Sequence, residues 1–202
     1  MGSSSQAVKD VTDAKLMGLD AFALNVQQPN AEWALNALRL LFDAANANGF
    51  KLFFSFDMAT IGHPNDFLPL FRQYQSHPAY YRHNNRPFVS TFNGGRHTFG
   101  ASSPNAGWQS AFRDPLAASG INPFFVPDFD DYGGATYDAN FFRNYPVVDG
   151  VFSWESAWPQ VNEGITNVSS SKDQAGLQAA RAAGKVYMMR TSPTRCISSS
   201  RC

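Results

Sequence analysis

Apolar runs of strand length alternate with amphipathic helical patterns along almost the whole chain. Six such runs occur, at residues 20–26, 50–58, 86–93, 122–128, 146–155 and 185–192. The spacing of roughly 30 residues between them is typical of βα units. Right-handed crossovers between such units produce a parallel sheet. The pattern therefore predicts an α/β fold, either an open doubly wound sheet or a (β/α)8 barrel.

The first run favours the barrel over a dinucleotide-binding sheet. It is followed by Asn25-Val-Gln-Gln-Pro-Asn, which lacks the glycine-rich phosphate-binding turn of that fold. Side chains alternate between the two faces of a strand. In the second run Ser55 and Asp57 share a face, opposite the bulky Phe54 and Phe56. A smaller inner face and a bulky outer face suit a barrel ringed by helices.

Only six of the eight units of a closed barrel are visible. We therefore predict an incomplete (β/α)8, TIM-barrel-like domain over residues 1–192, without its first and last strands. The polar segment at residues 193–202 predicts an irregular tail.

Composition disfavours several classes of partner. Lys+Arg and Asp+Glu number 16 each in 202 residues, so no net charge draws the chain to nucleic acid. No apolar run reaches the roughly 20 residues of a membrane helix. The start of the chain lacks the apolar stretch of a signal peptide. Cys196 and Cys202 form neither a disulfide framework nor the spacing of a metal site, so we expect no metal. We also expect no cofactor and a monomer.

Each apolar run has a polar side chain at its last or second-last position. Because catalytic groups of a barrel lie at the carboxyl ends of its strands, these side chains are expected to converge on one rim. They are Asn25, Asp57, Asn93, Asp128, Glu155 and Ser192. Glu155 is the most informative, since Trp154 precedes it and Trp158 follows it. A carboxylate between aromatic rings is typical of a sugar site.

Several long segments resemble one enzyme family. GLDAFALN, GFKLFFSFDM, HPAYYRHNNRPFVSTFNGG, FFVPDF, DGVFSWESAWP and GKVYMM are similar to glycoside hydrolase family 71, the fungal α-1,3-glucanases or mutanases. The resemblance runs from about Ala14 to about Met189. It implies a (β/α)8 barrel that hydrolyses α-1,3-glucan with inversion, secreted or in the cell wall. It also implies an opening strand before residue 1 and a different continuation after Pro193, so we expect a truncated member.

Inverting glycosidases use one carboxylic acid and one carboxylate, typically about 6.5–9.5 Å apart. Glu155 is the preferred general acid, because its apolar neighbours favour the protonated form. Asp128 and Asp57 compete as the general base. Asp130 and Asp131 are close enough in sequence to be alternatives, although solvated loop charges are the plainer interpretation.

Other residues are candidates for holding the sugar. Asn25 and Asn93 could donate hydrogen bonds to hydroxyl groups, and His97 follows a glycine pair on the rim side. Tyr132 and Trp158 lie beyond strand ends and could stack on a pyranose. Other residues are expected to lie away from the sugar. Alternation places Trp154 on the helix side, and Trp33 and Trp108 are expected in the core. Asp149 is expected to be structural, at the opposite end of its strand.

Three functions remain open at this point. The first is an endo-acting glycosidase on α-1,3-glucan. The second is an inactive fragment, or a remnant that binds carbohydrate weakly. The third is another barrel hydrolase or a metal-dependent enzyme, which rests only on the acidic cluster at residues 128–131.

Overall fold

The computed structural model describes residues 3–129, 136–154 and 169–189. The helices are α1 (Ser4–Leu16), α2 (Glu32–Asn48), α3 (Leu68–Tyr74), α4 (Pro104–Trp108), α5 (Asp114–Ala117), α6 (Ala139–Asn144) and α7 (Ser171–Ala182). The strands are β1 (Ala21–Val26), β2 (Lys51–Asp57), β3 (Arg82–His83), β4 (Arg86–Phe92), β5 (Phe124–Phe125), β6 (Gly150–Ser153) and β7 (Val186–Met189). A 3-10 turn at Pro64–Asp66 precedes α3, and a π-helical turn at Gln109–Arg113 joins α4 to α5.

The long strands pair in parallel and in chain order. β1 pairs with β2, β2 with β4, β4 with β5, and β6 with β7. Two backbone hydrogen bonds connect β6 to the β5 segment, from Asp149 N to Phe125 O and from Phe152 N to Pro127 O, both 2.8 Å. The prediction of an α/β fold with a parallel sheet is confirmed. No reversal of strand order, the mark of a doubly wound sheet, occurs among the described strands.

A short antiparallel hairpin precedes β4 and was not predicted. β3 pairs with β4 through Arg82 and Pro87. The turn between them holds Asn84 at φ 48° and Asn85 at φ 62°. Asparagine tolerates this left-handed region, and two such residues favour a two-residue hairpin turn. The Asn84-Asn85 pair was therefore the sequence signal that could have predicted this hairpin.

The predicted faces of β2 are confirmed. The Phe54 ring packs 5.8 Å from Phe42 of α2, and the Phe56 ring stacks 4.0 Å from Phe67. On the other face, Ser55 pairs in register with Asn25 of β1. Bulky side chains thus fill the layer between sheet and helices.

The predicted faces of β6 are wrong. Val151 is the register partner of Tyr187, whose ring packs against Gly176 of α7. Val151 therefore faces the helices, and Trp154 lies on the inner face, its ring 5.0 Å from that of Phe92. The assumption that smaller side chains turn inward fails on this strand.

Two tyrosine hydroxyl groups bridge backbone groups of neighbouring strands, in place of direct backbone hydrogen bonds. Tyr80 Oη accepts from Phe54 N at 3.4 Å and donates to Phe88 O at 2.9 Å, between β2 and β4. Tyr137 Oη accepts from Phe129 N at 2.9 Å and donates to Phe152 O at 2.8 Å, between the β5 segment and β6. Each hydroxyl satisfies one buried donor and one acceptor where neighbouring strands separate.

The outer edge of β1 carries apolar grooves. Within the described residues β1 pairs only with β2, and cavities of about 360 and 370 Å³ lie along it. Trp33 was expected in the core, but it lies in the first turn of α2, lines one of these grooves and is 64% exposed, so that prediction is wrong. Trp108 is fully buried, as expected. No helix in the described ranges is long and apolar enough to span a membrane.

Candidate active site

Three side chains form a row at the carboxyl edge of the sheet: Asp57, Phe92 and Asp128. Asp57 ends β2 and is the register partner of Phe92, the last residue of β4. Asp128 N donates to Thr91 O at 2.9 Å, which places Asp128 beside Phe92 in the parallel ladder. Neighbours in register point to the same face. Both aspartates therefore lie on the inner face, on either side of one phenylalanine.

The two carboxylates are buried, with Asp57 5% and Asp128 2% exposed. They belong to strands separated by one other, so their backbones lie about 9.5 Å apart, twice the usual strand spacing. The sequence-predicted candidates for the base are thus brought to one edge.

Asp57 is held by two donors. Gln27 Nε2, just past the end of β1, donates to Asp57 Oδ2 at 3.1 Å. Ala59 N donates to Asp57 Oδ1 at 3.0 Å. Thr60 Oγ1 lies 3.2 Å from Gln27 O and 3.1 Å from Asp57 O, so it contacts both loops. These contacts fix the orientation of the carboxylate and suit its ionised form, which accepts but does not donate.

Asp128 lies beside the Tyr137 hydroxyl group. Tyr137 Oη is 3.5 Å from Asp128 Oδ1 and donates its proton over the shorter distance of 2.8 Å to Phe152 O. The hydroxyl is thus fixed by backbone groups and stands next to the carboxylate. Tyr137 positions the loop that carries Asp128.

The other described candidates surround this row. Asn25 is exposed, on the inner face next to Ser55. Asn93 follows β4 at φ 57°, and Gly94 N rather than Asn93 N donates to Asp128 O, at 3.0 Å. His97 Nε2 lies 3.1 Å from Met58 O and its ring stacks on Phe99. His97 thereby connects the loop after β4 to the loop after β2.

Six residues predicted for the site lie outside the described residues. They are Asp130, Asp131, Tyr132, Glu155, Trp158 and the strand-end Ser192. The alternation argument assigned Glu155 to the face of Val151 and Ser153. Because that face of β6 is the helix side, alternation no longer supports an inward Glu155. Its role as acid rests on the sequence alone.

Asp149 is structural, at the opposite end of the sheet. Its carboxylate accepts from Arg86 Nη1 at 2.8 Å, from Arg113 Nη2 at 2.7 Å and from Phe125 N at 2.9 Å. Burial alone would raise the pKa of Asp149, but the hydrogen bonds from Arg86 and the charge of Arg113 outweigh it and lower that pKa. This half-buried cluster joins the start of β4, the π-helical turn and the residue that precedes β6.

Sequence reasoning missed Gln27, Tyr137 and the inward Trp154. Gln27 shares the alternation of Asn25, two residues earlier, and that was its only signal. Tyr137 follows an acidic loop without a pattern that indicates its contact. No three His, Cys, Asp or Glu side chains group as a metal site within residues 3–129, 136–154 and 169–189.

The whole of this geometry lies within one family match. The model of glycosyl hydrolase family 71 matches residues 2–197. The chain belongs to this family. The resemblance drawn from the sequence segments is therefore confirmed.

Two similar proteins carry names that state a 1,3-alpha linkage in glucan. The chain is 34% identical over 189 residues to glucan endo-1,3-alpha-glucosidase agn1 of Schizosaccharomyces pombe, covering 92% of this chain and 42% of the relative. It is 35% identical to an ascus wall endo-1,3-alpha-glucanase of the same yeast, over 95% and 43% of the two chains. A mutanase of Penicillium rubens is 32% identical over 75% and 30%. The family 71 chain thus spans about two fifths of the two yeast proteins.

Solved structures share the fold at low identity. A GH99 endo-alpha-mannosidase from Bacteroides thetaiotaomicron, in complex with bis-tris-propane, superposes with a TM-score of 0.68 at 14% identity. The match covers 93% of this chain and 56% of that one. A second structure of that enzyme gives a TM-score of 0.65 at 14% identity, covering 93% and 53%. The family 71 chain therefore shares its α/β architecture with these chains.

Proposed function

We propose that this chain binds α-1,3-glucan and, as part of a glycoside hydrolase, cleaves it in one inverting step. The observation that carries the proposal is the row in which the buried Asp57 and Asp128 flank Phe92 on one face. Family membership supports a glycosidic bond as the target. The names of the yeast relatives support the α-1,3 linkage and endo action.

The roles follow from the chemistry of inversion. A general acid protonates the oxygen of the leaving sugar as its bond to the anomeric carbon breaks. A general base takes a proton from a water molecule, whose oxygen attacks that carbon from the opposite face. We assign the acid to Glu155 and the base to Asp57, with Asp128 as the alternative base. The two donors on Asp57 favour it, because a fixed, ionised carboxylate can orient a water molecule.

The proposed enzyme has a barrel fold and acts on a polysaccharide of the fungal wall. The chain-order pairing of the strands supports a (β/α)8-type sheet of which six parallel strands are described. The ascus wall named for one relative supports a fungal wall polysaccharide as the partner, met in the wall or outside the cell. We propose a monomer that needs neither a cofactor nor a metal.

The test measures reducing ends released from insoluble α-1,3-glucan by the whole chain. Glu155→Gln and Asp57→Asn are each expected to lower the rate at least about a hundredfold, as loss of a general acid or base does. Asp66→Asn is the control, because Asp66 is an exposed carboxylate. Undiminished rates in Glu155→Gln, or in both Asp57→Asn and Asp128→Asn, would contradict the assigned roles.

Product analysis tests the finer points. Inversion of an α-linkage releases the β-anomer first, which NMR of the fresh product detects. Early release of mixed oligosaccharides indicates endo action, and release of glucose alone would overturn it.

A second candidate is glucan binding without turnover. It is favoured by the share of the relatives that the chain covers, 42% and 43%. Retention on α-1,3-glucan beads without any reducing-end release would support it over the hydrolase.

A further inference from the structure

An aromatic cluster lies in the same row as the two aspartates. It consists of Phe92, Phe152 and Trp154, which we call the inner aromatic cluster. The Trp154 ring lies 5.0 Å from Phe92 with an interplanar angle of 61°, and 6.1 Å from Phe152 at 89°. Neither contact stacks the indole flat on a neighbour. Both of these contacts are T-shaped, and the Trp154 side chain is half-buried, so part of its surface is exposed.

Burial separates this cluster from the other aromatic residues of the strands. Phe54, Phe56 and Phe125, on the helix side, are each completely buried. The three members of the inner aromatic cluster are only half-buried. Core packing explains the first group, whereas the second presents apolar surface beside carboxylates. Large half-buried rings next to a few fixed polar groups are typical of a small-molecule site.

The chemistry around the cluster fits an uncharged sugar. A pyranose ring has an apolar face of C–H groups and a rim of hydroxyl groups. The indole matches the first, while the carboxylates of Asp57 and Asp128 and the amide of exposed Asn25 match the second. Asp57 is the direct register partner of Phe92, so the rings lie next to the carboxylate.

We propose that Trp154, held by Phe92, is the platform on which one pyranose ring of the glucan stacks beside Asp57 and Asp128. The proposal rests on the proposed carbohydrate substrate and adds the residue that holds it. It assigns to Trp154 a binding role, distinct from the proton transfers.

The test is binding of the whole chain to soluble α-1,3-linked gluco-oligosaccharides, measured by calorimetry and by tryptophan fluorescence. Trp154→Ala is expected to bind about tenfold more weakly, and Trp154→Phe about two- to threefold, the range of an aromatic contact. Trp33→Ala is the matched control, since Trp33 is exposed beyond the β1 edge. The fluorescence change on binding is expected to disappear in Trp154→Phe and to persist in Trp33→Phe. Near-UV circular dichroism checks that each variant is folded.

The outcomes separate this proposal from the catalytic one. Equal binding by wild type and both folded Trp154 variants overturns the platform and leaves hydrolysis untouched. Loss of binding in Trp33→Ala alone also overturns it. Weak binding by Trp154→Ala together with undiminished turnover in Asp57→Asn and Asp128→Asn supports the platform and contradicts the catalytic roles. Failure of the wild-type chain to bind these sugars overturns both.

Discussion

Gln27 Nε2 donates a 3.1 Å hydrogen bond to Asp57 Oδ2, which joins the end of β1 to the end of β2. The other oxygen of Asp57 accepts from Ala59 N in its own loop. The orientation of the carboxylate therefore depends on a side chain from the neighbouring strand.

Gln27→Ala is expected to lower the rate of α-1,3-glucan hydrolysis about tenfold, because a misplaced base loses alignment with its water molecule. Gln28→Ala is the control, since Gln28 is the exposed next residue. A Gln27→Ala rate equal to that of Gln28→Ala would show that Asp57 needs no such support.

Tyr137→Phe is expected to destabilise the fold by about 1–3 kcal/mol, since Phe129 N and Phe152 O both lose their hydrogen-bond partner. Urea denaturation gives the free energy of unfolding. Tyr74→Phe is the control: its ring packs on Phe42, and its hydroxyl joins no pair of backbone groups in the described ranges. Equal midpoints for the two variants would contradict a structural hydroxyl at Tyr137.

Tyr80 gives the fold a dependence on alkaline pH. Burial raises the pKa of the Tyr80 hydroxyl far above its ordinary value, so the folded state keeps it protonated. Its contribution to stability is fully present below the unfolded pKa of about 10. Above that pH the unfolded state releases the proton and stability falls by about 1.4 kcal/mol per pH unit.

Tyr80→Phe is therefore expected to have a shallower loss of stability between about pH 10 and 11.5 than the wild type. The comparison of the two slopes removes the contributions of the other titrating groups, which both proteins share. Parallel curves would show that Tyr80 ionises as freely in the folded state as in the unfolded one.

Asp149→Asn is expected to cost about 1–3 kcal/mol at neutral pH, because it leaves the half-buried Arg86 and Arg113 without their carboxylate. The lowered pKa of Asp149 makes its contribution present above about pH 4 and lost as the pH falls through the folded pKa. The difference from wild type should therefore shrink on acidification.

The matched control for Asp149→Asn is Asp43→Asn, which breaks an exposed pair with Arg39. Its cost should stay below about 0.5 kcal/mol. A similar small cost for Asp149→Asn would contradict a stabilising role for the half-buried cluster.

The sequence predicted most of the elements because each carries its own local signal. Gly49 marked the end of α2 and adopts φ 63° there. The run from Lys51 to Asp57 contains Leu52 and three phenylalanines in seven residues, and it forms β2. The β3 hairpin was missed because a two-residue strand has no periodicity to detect.

The site was less predictable because its contacts are not local. Asp57 and Asp128 were identified as strand-end carboxylates, and the register brings them to one row. The donor from Gln27 comes from 30 residues away, and its only sequence signal is that it shares the alternation of Asn25. The inward face of Trp154 was mispredicted because β6 reverses the usual assignment of small residues to the inner side.

The chain-order pairing of the sheet has a consequence for synthesis on the ribosome. The parallel strands begin at Ala21, Lys51, Arg86, Phe124, Gly150 and Val186, and each of them docks on the one made before it. A nascent chain can therefore add each strand to an edge that has already emerged. Among the parallel strands that the structure describes, none has to wait for a distant partner still inside the exit tunnel, so their assembly can keep pace with translation.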